Sequence, residues 1–414
     1  MTARKHHTVP QSLLRHFAAS HDREQVWVYD KEEGRGFMSA IRDAAAERDF
    51  YVVRSGEKRL NWEPAFQALD DRLASVTREL LATDAVASLA EDVLADVPML
   101  VAMQLLRTQL RRSSIPAFAD QLNEATKSLG FGAVAVSDDQ ARRIHLRQLL
   151  GVSELAESLA AKDLVLLQAS VPGVAFWLSD NPVVMYNTFP YGEVGVSEPG
   201  IEIYFPISPA RCLALYCPSI GEQVAESLDT SHPRPRLADP WYEELLRGIR
   251  RQTVVEIGQD FVTYLNELQI RQSARFLYAA GSEFDFAESV LAAQPDLRRI
   301  RTLTKMGEMG AGPPPYEGMP PGTFLLLVRG YRHHVVAVHN QTTRHNAGIM
   351  KVEVLDHGKL SSIGTEAPFD SATLIVDGQT TSFMRDVVVE PEARRGSYLV
   401  RHADHGLRQL FEGL

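Results

Sequence analysis

Two adjacent histidines, His6 and His7, stand near the N-terminus and are followed by Thr8-Val9-Pro10. Imidazole titrates near neutrality, so either ring is a candidate general base or metal ligand. Pro10 pushes Val9 out of helical space, which makes the histidine segment extended. Successive side chains of an extended segment point to opposite faces, so at most one histidine reaches a given site. Gln11 or Ser12 then starts a short helix whose Leu13, Leu14 and Phe17 pack inward and anchor the pair. The competing reading is a surface pair without chemistry.

A second candidate is a polar stripe on an apolar helix. Gln104, Arg107 and Arg111 fall at i, i+3 and i+7 among Met99, Leu100, Val101, Met103, Leu105 and Leu106, which marks one face of an interior helix. A buried guanidinium must be paired, either with a protein carboxylate such as Asp180 or Glu63 or with an anionic ligand. A solvated helix end is the third option. Ser179-Asp180-Asn181-Pro182 follows an apolar run. Asp and Asn before proline initiate turns by bonding their own backbone. The functional alternative makes Asp180 a metal ligand or a carboxylate partner for His7.

Other signals carry less. Seven of the thirteen histidines lie from His333 onward, and His333 and His339 would share a strand face, but the spacing fits no common zinc motif. Arg329 to His334 repeats an Arg-x4-His pattern of certain ribonucleases, yet it falls in a strand-like run rather than a helix. Pro313-Pro314-Pro315-Tyr316 reads as linker before it reads as a ligand for proline-binding modules. There is no Gly-x-Ser-x-Gly elbow, no phosphate-binding loop and no dinucleotide fingerprint, so the serine-hydrolase, nucleotide-triphosphatase and dehydrogenase readings lose their usual support.

The frame that must position these residues is ordinary globular sequence, 45% hydrophobic and 23% charged over 414 residues, a length that favours two domains. A net charge of -10 argues against a surface coated for nonspecific duplex DNA binding. The two cysteines, Cys212 and Cys217, exclude a disulfide framework and a cysteine-rich zinc site. No apolar core of a secretory signal and no run near about 18 apolar residues is present, so a cytoplasmic, membrane-free location is expected.

Strands are expected at 25–29 and 50–53, and a helix from Glu63 with Phe66, Leu69, Leu73, Val76 and Leu80 on one face. The next helix is expected to begin near Pro98 with Asp96 as its cap, because proline is tolerated in a first turn. Helical pattern covers about 117–160. Strands at 164–167, 174–178, 201–205 and 212–216 make a central sheet. A helix is expected to carry Val254, Ile257, Phe261, Leu265 and Leu268, with another near 284–300. Gly and Pro dominate 307–322, which reads as a linker. Beyond it 324–328, 335–338, 350–354 and 386–389 read as strands. The fold class is therefore α+β: a helix-rich domain over 1–306 around a small mixed or antiparallel sheet, a linker over 307–322, and a smaller β-rich domain over 323–414.

The stretch His6-His7-Thr8-Val9-Pro10-Gln11-Ser12-Leu13-Leu14-Arg15-His16-Phe17 resembles the opening signature of a bacterial family, domain of unknown function (DUF) 4238. Ordered landmarks agree: the aromatic strands at Val26–Asp30 and Phe50-Tyr51, Gln104-Leu105-Leu106-Arg107, Phe176-Trp177-Leu178-Ser179-Asp180-Asn181-Pro182-Val183, Pro206-Ile207-Ser208-Pro209 and Asn266. The usual Tyr-Leu of the signature is Leu13-Leu14 here. The resemblance covers roughly residues 1–280 and implies a bacterial protein, but brings no activity with it.

The residues together point to a hydrolase, of nuclease or phosphoesterase type, acting on an anionic substrate such as nucleic acid. In it His6 or His7 is base or ligand, Asp180 with Asn181 supplies the carboxylate end, and Arg107 with Arg111 stabilises negative charge. A divalent metal is compatible with this set. The alternative is a noncatalytic binding or sensor protein, for example in bacterial defence or stress response, whose C-terminal domain engages a protein partner.

Overall fold

Apolar residues spaced by two become strands, and those spaced by three and four become helices, wherever a partner surface covers their apolar side. The computed structural model describes residues 5–20, 24–55, 58–126, 133–187, 195–198, 200–228, 240–302, 323–329, 334–339, 343–346, 349–353, 369–376, 379–391 and 397–402. The architecture is α+β. The chain divides into two units, Met1–Tyr186 with Glu202–Tyr216 and Val224–Met306, and Asn187–Ile201 with Cys217–Gln223 and Gly307–Leu414. The Pro/Gly-rich stretch 307–322 lies outside the described residues, and its reading as a linker with it.

The chain runs through β1 (Lys5–His7), α1 (Gln11–His16), β2 (Gln25–Asp30), β3 (Arg35–Ala40), β4 (Ala46–Arg48), β5 (Val52–Ser55) and β6 (Lys58–Asn61). Helices α2 (Glu63–Ala82), α3 (Glu91–Leu106), α4 (Gln109–Thr126), α5 (Asp138–Leu150) and α6 (Val152–Ala160) follow. Next come β7 (Asp163–Ala169), β8 (Leu178–Ser179), β9 (Val184–Asn187), β10 (Ile201–Pro206), β11 (Arg211–Tyr216), α7 (Pro218–Leu228), α8 (Pro240–Arg251), β12 (Val255–Ile257), α9 (Gln259–Gln272), β13 (Phe276–Ala279) and α10 (Asp285–Ala293).

A mixed five-stranded sheet has the order β12-β7-β11-β10-β9, with β12 parallel to β7 and β7, β11 and β10 antiparallel in turn. Its inner strands are mostly apolar because both faces are covered, and Val165, Leu166, Leu167 and Leu213 are buried. An antiparallel sheet β3-β2-β13-β8 joins the N-terminal region to residues near 278, with Leu277 opposite Tyr29 and Ser179. Tyr29, Leu277, Phe284, Ala287 and Leu291 form its core against α10. Arg211 of β11 reaches the end of α2, where its Nη1 donates to the carbonyls of Leu80, Leu81 and Thr83 at 3.0, 3.1 and 2.5 Å. A guanidinium there satisfies carbonyls that the helix itself leaves without partners.

Three expectations are corrected. The helix expected near Pro98 begins at Glu91 with Ala90 as its cap, and Pro98 sits inside it. Asp96 is not a cap but pairs with Arg72 at 2.5 Å. Burial of the α3 face outweighs the lost backbone bond. The expected helix through Val254 and Ile257 starts later, since Val255–Ile257 is a strand and Gly258 caps α9; β-branched residues beside an apolar strand favour pairing. The strand expected over 174–178 is reduced to Leu178–Ser179. Asn266 of α9 takes the place of a neighbouring strand there, accepting from Trp177 N–H at 2.8 Å and donating to the Ala175 carbonyl at 2.9 Å.

The second unit holds a seven-stranded antiparallel sheet of β14 (Thr323–Arg329), β15 (His334–His339), β16 (Thr343–Asn346), β17 (Ile349–Glu353), β18 (Phe369–Val376), β19 (Gln379–Pro391) and β20 (Ser397–His402). Its order is β15-β14-β18-β19-β20-β17-β16. Residues 313–316 and 330–333, with His333, lie outside the described residues. Among the described residues no single helix is long and apolar enough to cross a membrane.

Candidate functional site

The opening segment is held from both sides. β1 pairs with β4, placing His6 opposite Glu47 and His7 opposite Ala46. Thr8 N–H then donates to the Ala45 carbonyl at 2.9 Å. Val9, Leu14 and Phe17 are wholly buried, so the turn at Pro10 is anchored by packing. Alternation puts the two imidazoles in different surroundings: His6 is buried and His7 half-buried.

Tyr51 clamps both. Its backbone N–H donates to His6 Nδ1 at 3.0 Å and its hydroxyl donates to the His7 carbonyl at 3.1 Å. The His6 and Tyr51 rings stack at 5.6 Å with planes 15° apart. A nitrogen that accepts from a backbone N–H is unprotonated, so His6 is the neutral tautomer with its proton on Nε2. Glu63 Oε2 lies 3.8 Å from that accepting Nδ1, so the two do not form an ion pair in this tautomer. His6 is therefore a structural clamp.

Behind them lies a buried ion pair. Arg107 caps the end of α3, where its Nη1 meets Asp70 Oδ1 of α2 at 2.5 Å and its Nε donates to Gln104 Oε1 at 3.2 Å. Gln104 Nε2 in turn donates to the Thr8 carbonyl at 3.0 Å. The bonds run from the histidine segment through α3 to α2 and fix the three relative to one another. The Arg107 side chain is 2% exposed and that of Asp70 20%.

His7 and Glu63 both feel this pair. Burial lowers the His7 proton affinity, while the carbonyls of Arg42 and Ile41 and the Asp70 charge raise it and Arg107 lowers it. Gln11 Nε2 lies 3.5 Å from its Nδ1. Burial pushes the Glu63 carboxyl up to about 6, with Asp70 adding to the rise and Arg107 opposing it. His7 Nε2, Glu63 Oε2 and Trp62 Nε1 are among the buried polar atoms without a hydrogen-bond partner. Buried polar atoms are nearly always bonded, so exceptions gathered in one region mark a place for a ligand or water.

The other expected site residues lie apart from this cluster. The helix breaks after Arg107 with a bend of 53°, so Arg111 sits on α4, exposed, and does not continue the Gln104–Arg107 face. The expectation that Asp180 partners His7 is corrected: its Oδ1 accepts from Ala274 N–H at 2.8 Å, and its Oδ2 from Arg275 and Phe276 N–H at 2.8 and 2.9 Å. Asn181 Nδ2 donates to the Gln272 carbonyl at 3.0 Å. Ser179 donates to Gln269 Oε1 at 2.6 Å, and Gln269 Nε2 to the Pro182 carbonyl at 2.9 Å. The Ser-Asp-Asn-Pro block thus ties β8 to the end of α9. It serves packing.

Asp70 is the residue that sequence reasoning missed. Glu63, Phe66, Asp70, Leu73 and Thr77 follow one another at three and four along α2, so a carboxylate sits in a buried apolar stripe. That misplaced charge was the available signal, since a buried carboxylate requires a cation. Among the described residues no group of three or more His, Cys, Asp or Glu side chains is placed to hold a metal ion.

A family model described as Protein of unknown function (DUF4238) matches residues 5–283, a span that contains the histidine segment, the Arg107–Asp70 pair and the Asp180 block. No curated protein and no solved structure matches the chain.

Proposed function

This chain belongs to the DUF4238 family, and for it we propose a hydrolase whose reacting groups are Glu63 and His7. The observation that carries this reading is that Glu63 Oε2 and His7 Nε2, two buried polar atoms without a hydrogen-bond partner, belong to residues that both feel the Arg107–Asp70 pair, with the orphaned Trp62 Nε1 one residue before Glu63. Glu63, held up to about 6, is ionised at neutral pH yet basic enough to take a proton from an attacking water. The water oxygen bonds to the substrate carbonyl carbon, and the carbonyl oxygen gains the negative charge. Neutral His7 and Trp62 supply N–H donors to that oxygen. The oxyanion then re-forms the carbonyl, the bond from that carbon to the leaving group breaks, and the leaving group takes the proton from Glu63 as it departs, which returns the carboxylate.

Arg107 is a positioning residue, because its charge is already balanced by Asp70. An uncharged acyl group therefore suits this cluster better than a phosphate, in place of the anionic substrate expected from the residue types alone. The test is turnover of chromogenic esters and aryl amides by the full chain, with phosphodiesters expected to be poor substrates. Glu63→Gln and His7→Gln are each expected to lower kcat about 10²–10⁴-fold with unchanged circular dichroism. No turnover across the ester and amide panel, or a wild-type rate in Glu63→Gln, overturns the reading.

A further inference from the structure

The four-stranded sheet β3-β2-β13-β8 is finished differently at its two edges. Its β8 edge is met by α9, where Gln269 Oε1 accepts from Ser179 and Gln269 Nε2 donates to the Pro182 carbonyl. The other edge, β3, pairs with β2 in an unbroken register from Arg35 opposite Asp30 to Ala40 opposite Gln25. Lys31 N–H donates to the Arg275 carbonyl, so Lys31, Tyr29 and Trp27 turn their backbone groups towards β13, and Asp30, Val28 and Val26 turn theirs towards β3. On β3 the inward groups are therefore those of Arg35, Phe37 and Ser39, and the groups of Gly36, Met38 and Ala40 point away from the sheet. The Ala40 carbonyl is taken by the N–H groups of Asp43 and Ala44 at 2.8 and 3.0 Å. Among the described residues nothing bonds to the outward N–H and C=O of Gly36 and Met38.

The middle of this edge is open on both sides. Phe37 is 38% exposed and Met38 41%, on opposite faces of the strand, and Arg35 and Gly36 are exposed beside them. Natural edges are kept from pairing by proline, by lysine or by a bulge, and β3 has none of these. Its single charge, Arg35, stands at the strand's end. Gly36 has no side chain, and its open side lies against Phe284, whose ring would stand 3.5 Å from a Cβ there.

We propose that β3 is a self-association edge, on which a second copy of this chain adds its own β3 antiparallel about a two-fold axis at Phe37. Centred there, Gly36 exchanges N–H···O bonds with the partner's Met38, and Met38 with the partner's Gly36, which satisfies every free group of the two residues. Centring the axis on Met38 would instead set Gly36 against the partner's Ala40, whose carbonyl is already occupied. Phe37 then meets the partner's Phe37 in a non-hydrogen-bonded pair, with Cα atoms about 4.5 Å apart. Met38 lies beside the partner's Gly36, where the missing side chain leaves it room to reach towards Phe284. Arg35 falls opposite the partner's Ser39, so no like charges meet. A foreign peptide could bond the same backbone groups, but the large-against-small match and the aromatic pair come from the strand itself. This inference is independent of the hydrolase reading.

The experiment is light scattering of the full chain between about 1 and 200 µM. A single strand pair is a small seam, so a dimer with a Kd of about 1–100 µM is expected. Met38→Pro removes an outward N–H and leaves the ladder with β2 in place, so it is expected to be monomeric at about 200 µM with wild-type circular dichroism. Both native cysteines are buried, so an introduced one reports the register. Under oxidising conditions Phe37→Cys is expected to form a covalent dimer on a non-reducing gel. Ser39→Cys, whose twin would lie about 13 Å away along the strand, is expected not to. A wild-type chain that is monomeric at about 200 µM, a Met38→Pro dimer as tight as wild type, or equal cross-linking of the two cysteine variants overturns the proposal.

Discussion

Asp70→Asn tests the ion pair on which the candidate site rests. Arg107 is 2% exposed, and its Nη1 loses a 2.5 Å partner, while the Nε bond to Gln104 remains. Removing one member of a buried pair leaves an uncompensated charge and costs about 3–5 kcal/mol. Asp70 is 20% exposed, so water relieves part of this and the lower end, about 3 kcal/mol, is expected. For a domain of this size that is a fall in Tm of about 6–12 °C in a thermal scan. The double change Asp70→Leu with Arg107→Met removes both charges together and is expected within about 1.5 kcal/mol of wild type. The same substitution also acts on Glu63. Asp70 raises its proton affinity and Arg107 lowers it, so losing the first and leaving the second moves the acid limb of the pH–rate profile downward. A Tm change under about 2 °C, the size of an exposed pair, would mean that Arg107 does not depend on Asp70 for its burial.

Three further outcomes follow from the geometry. His145 donates from Nε2 to the Leu106 carbonyl at 2.8 Å, and burial lowers its folded pKa from 6.5 to about 4. A depressed imidazole stabilises the fold above its unfolded pKa, so on the order of 3 kcal/mol is lost as pH falls from 6.5 to about 4; urea midpoints measured across that window should flatten in His145→Gln. Asn266→Ala removes the side chain that bonds Trp177 and Ala175, and a cost of about 2–4 kcal/mol in urea unfolding is expected. Asp180→Ala strands the N–H groups of Ala274, Arg275 and Phe276 and is expected to cost about 3 kcal/mol or more while kcat per folded molecule stays unchanged. A fall in kcat at wild-type stability would instead return Asp180 to the site.

Much of the frame was legible because it depends on local pattern. The repeat of Phe66, Leu73, Val76 and Leu80 specifies α2, and the apolar runs at β7, β10 and β11 specify buried strands without any knowledge of their neighbours. The opening segment was legible for the same reason, since Pro10 dictates an extended entry and Leu13, Leu14 and Phe17 dictate an anchored helix. Element ends were less so. Pro98 lies inside α3 because packing outweighed residue preference, whereas Val255–Ile257 is a strand because its β-branched residues meet a parallel neighbour that the helical spacing did not reveal.

The residue pattern was enough to show that His6 and His7 face different ways and that the first two-thirds of the chain belongs to one family, while it left Arg107 either interior or at a solvated helix end. Which histidine keeps a chemical role, and which carboxylate Arg107 meets, was decided only by the tertiary structure. Asp70 is 37 residues from Arg107 along the chain and Tyr51 is 45 from His6. Asp180, equally polar on paper, is consumed by backbone donors 94–96 residues away. Charge and hydrogen-bonding capacity are properties of a residue, but whether they are spent depends on what the fold brings within about 3 Å, a range too short for sequence spacing to reveal.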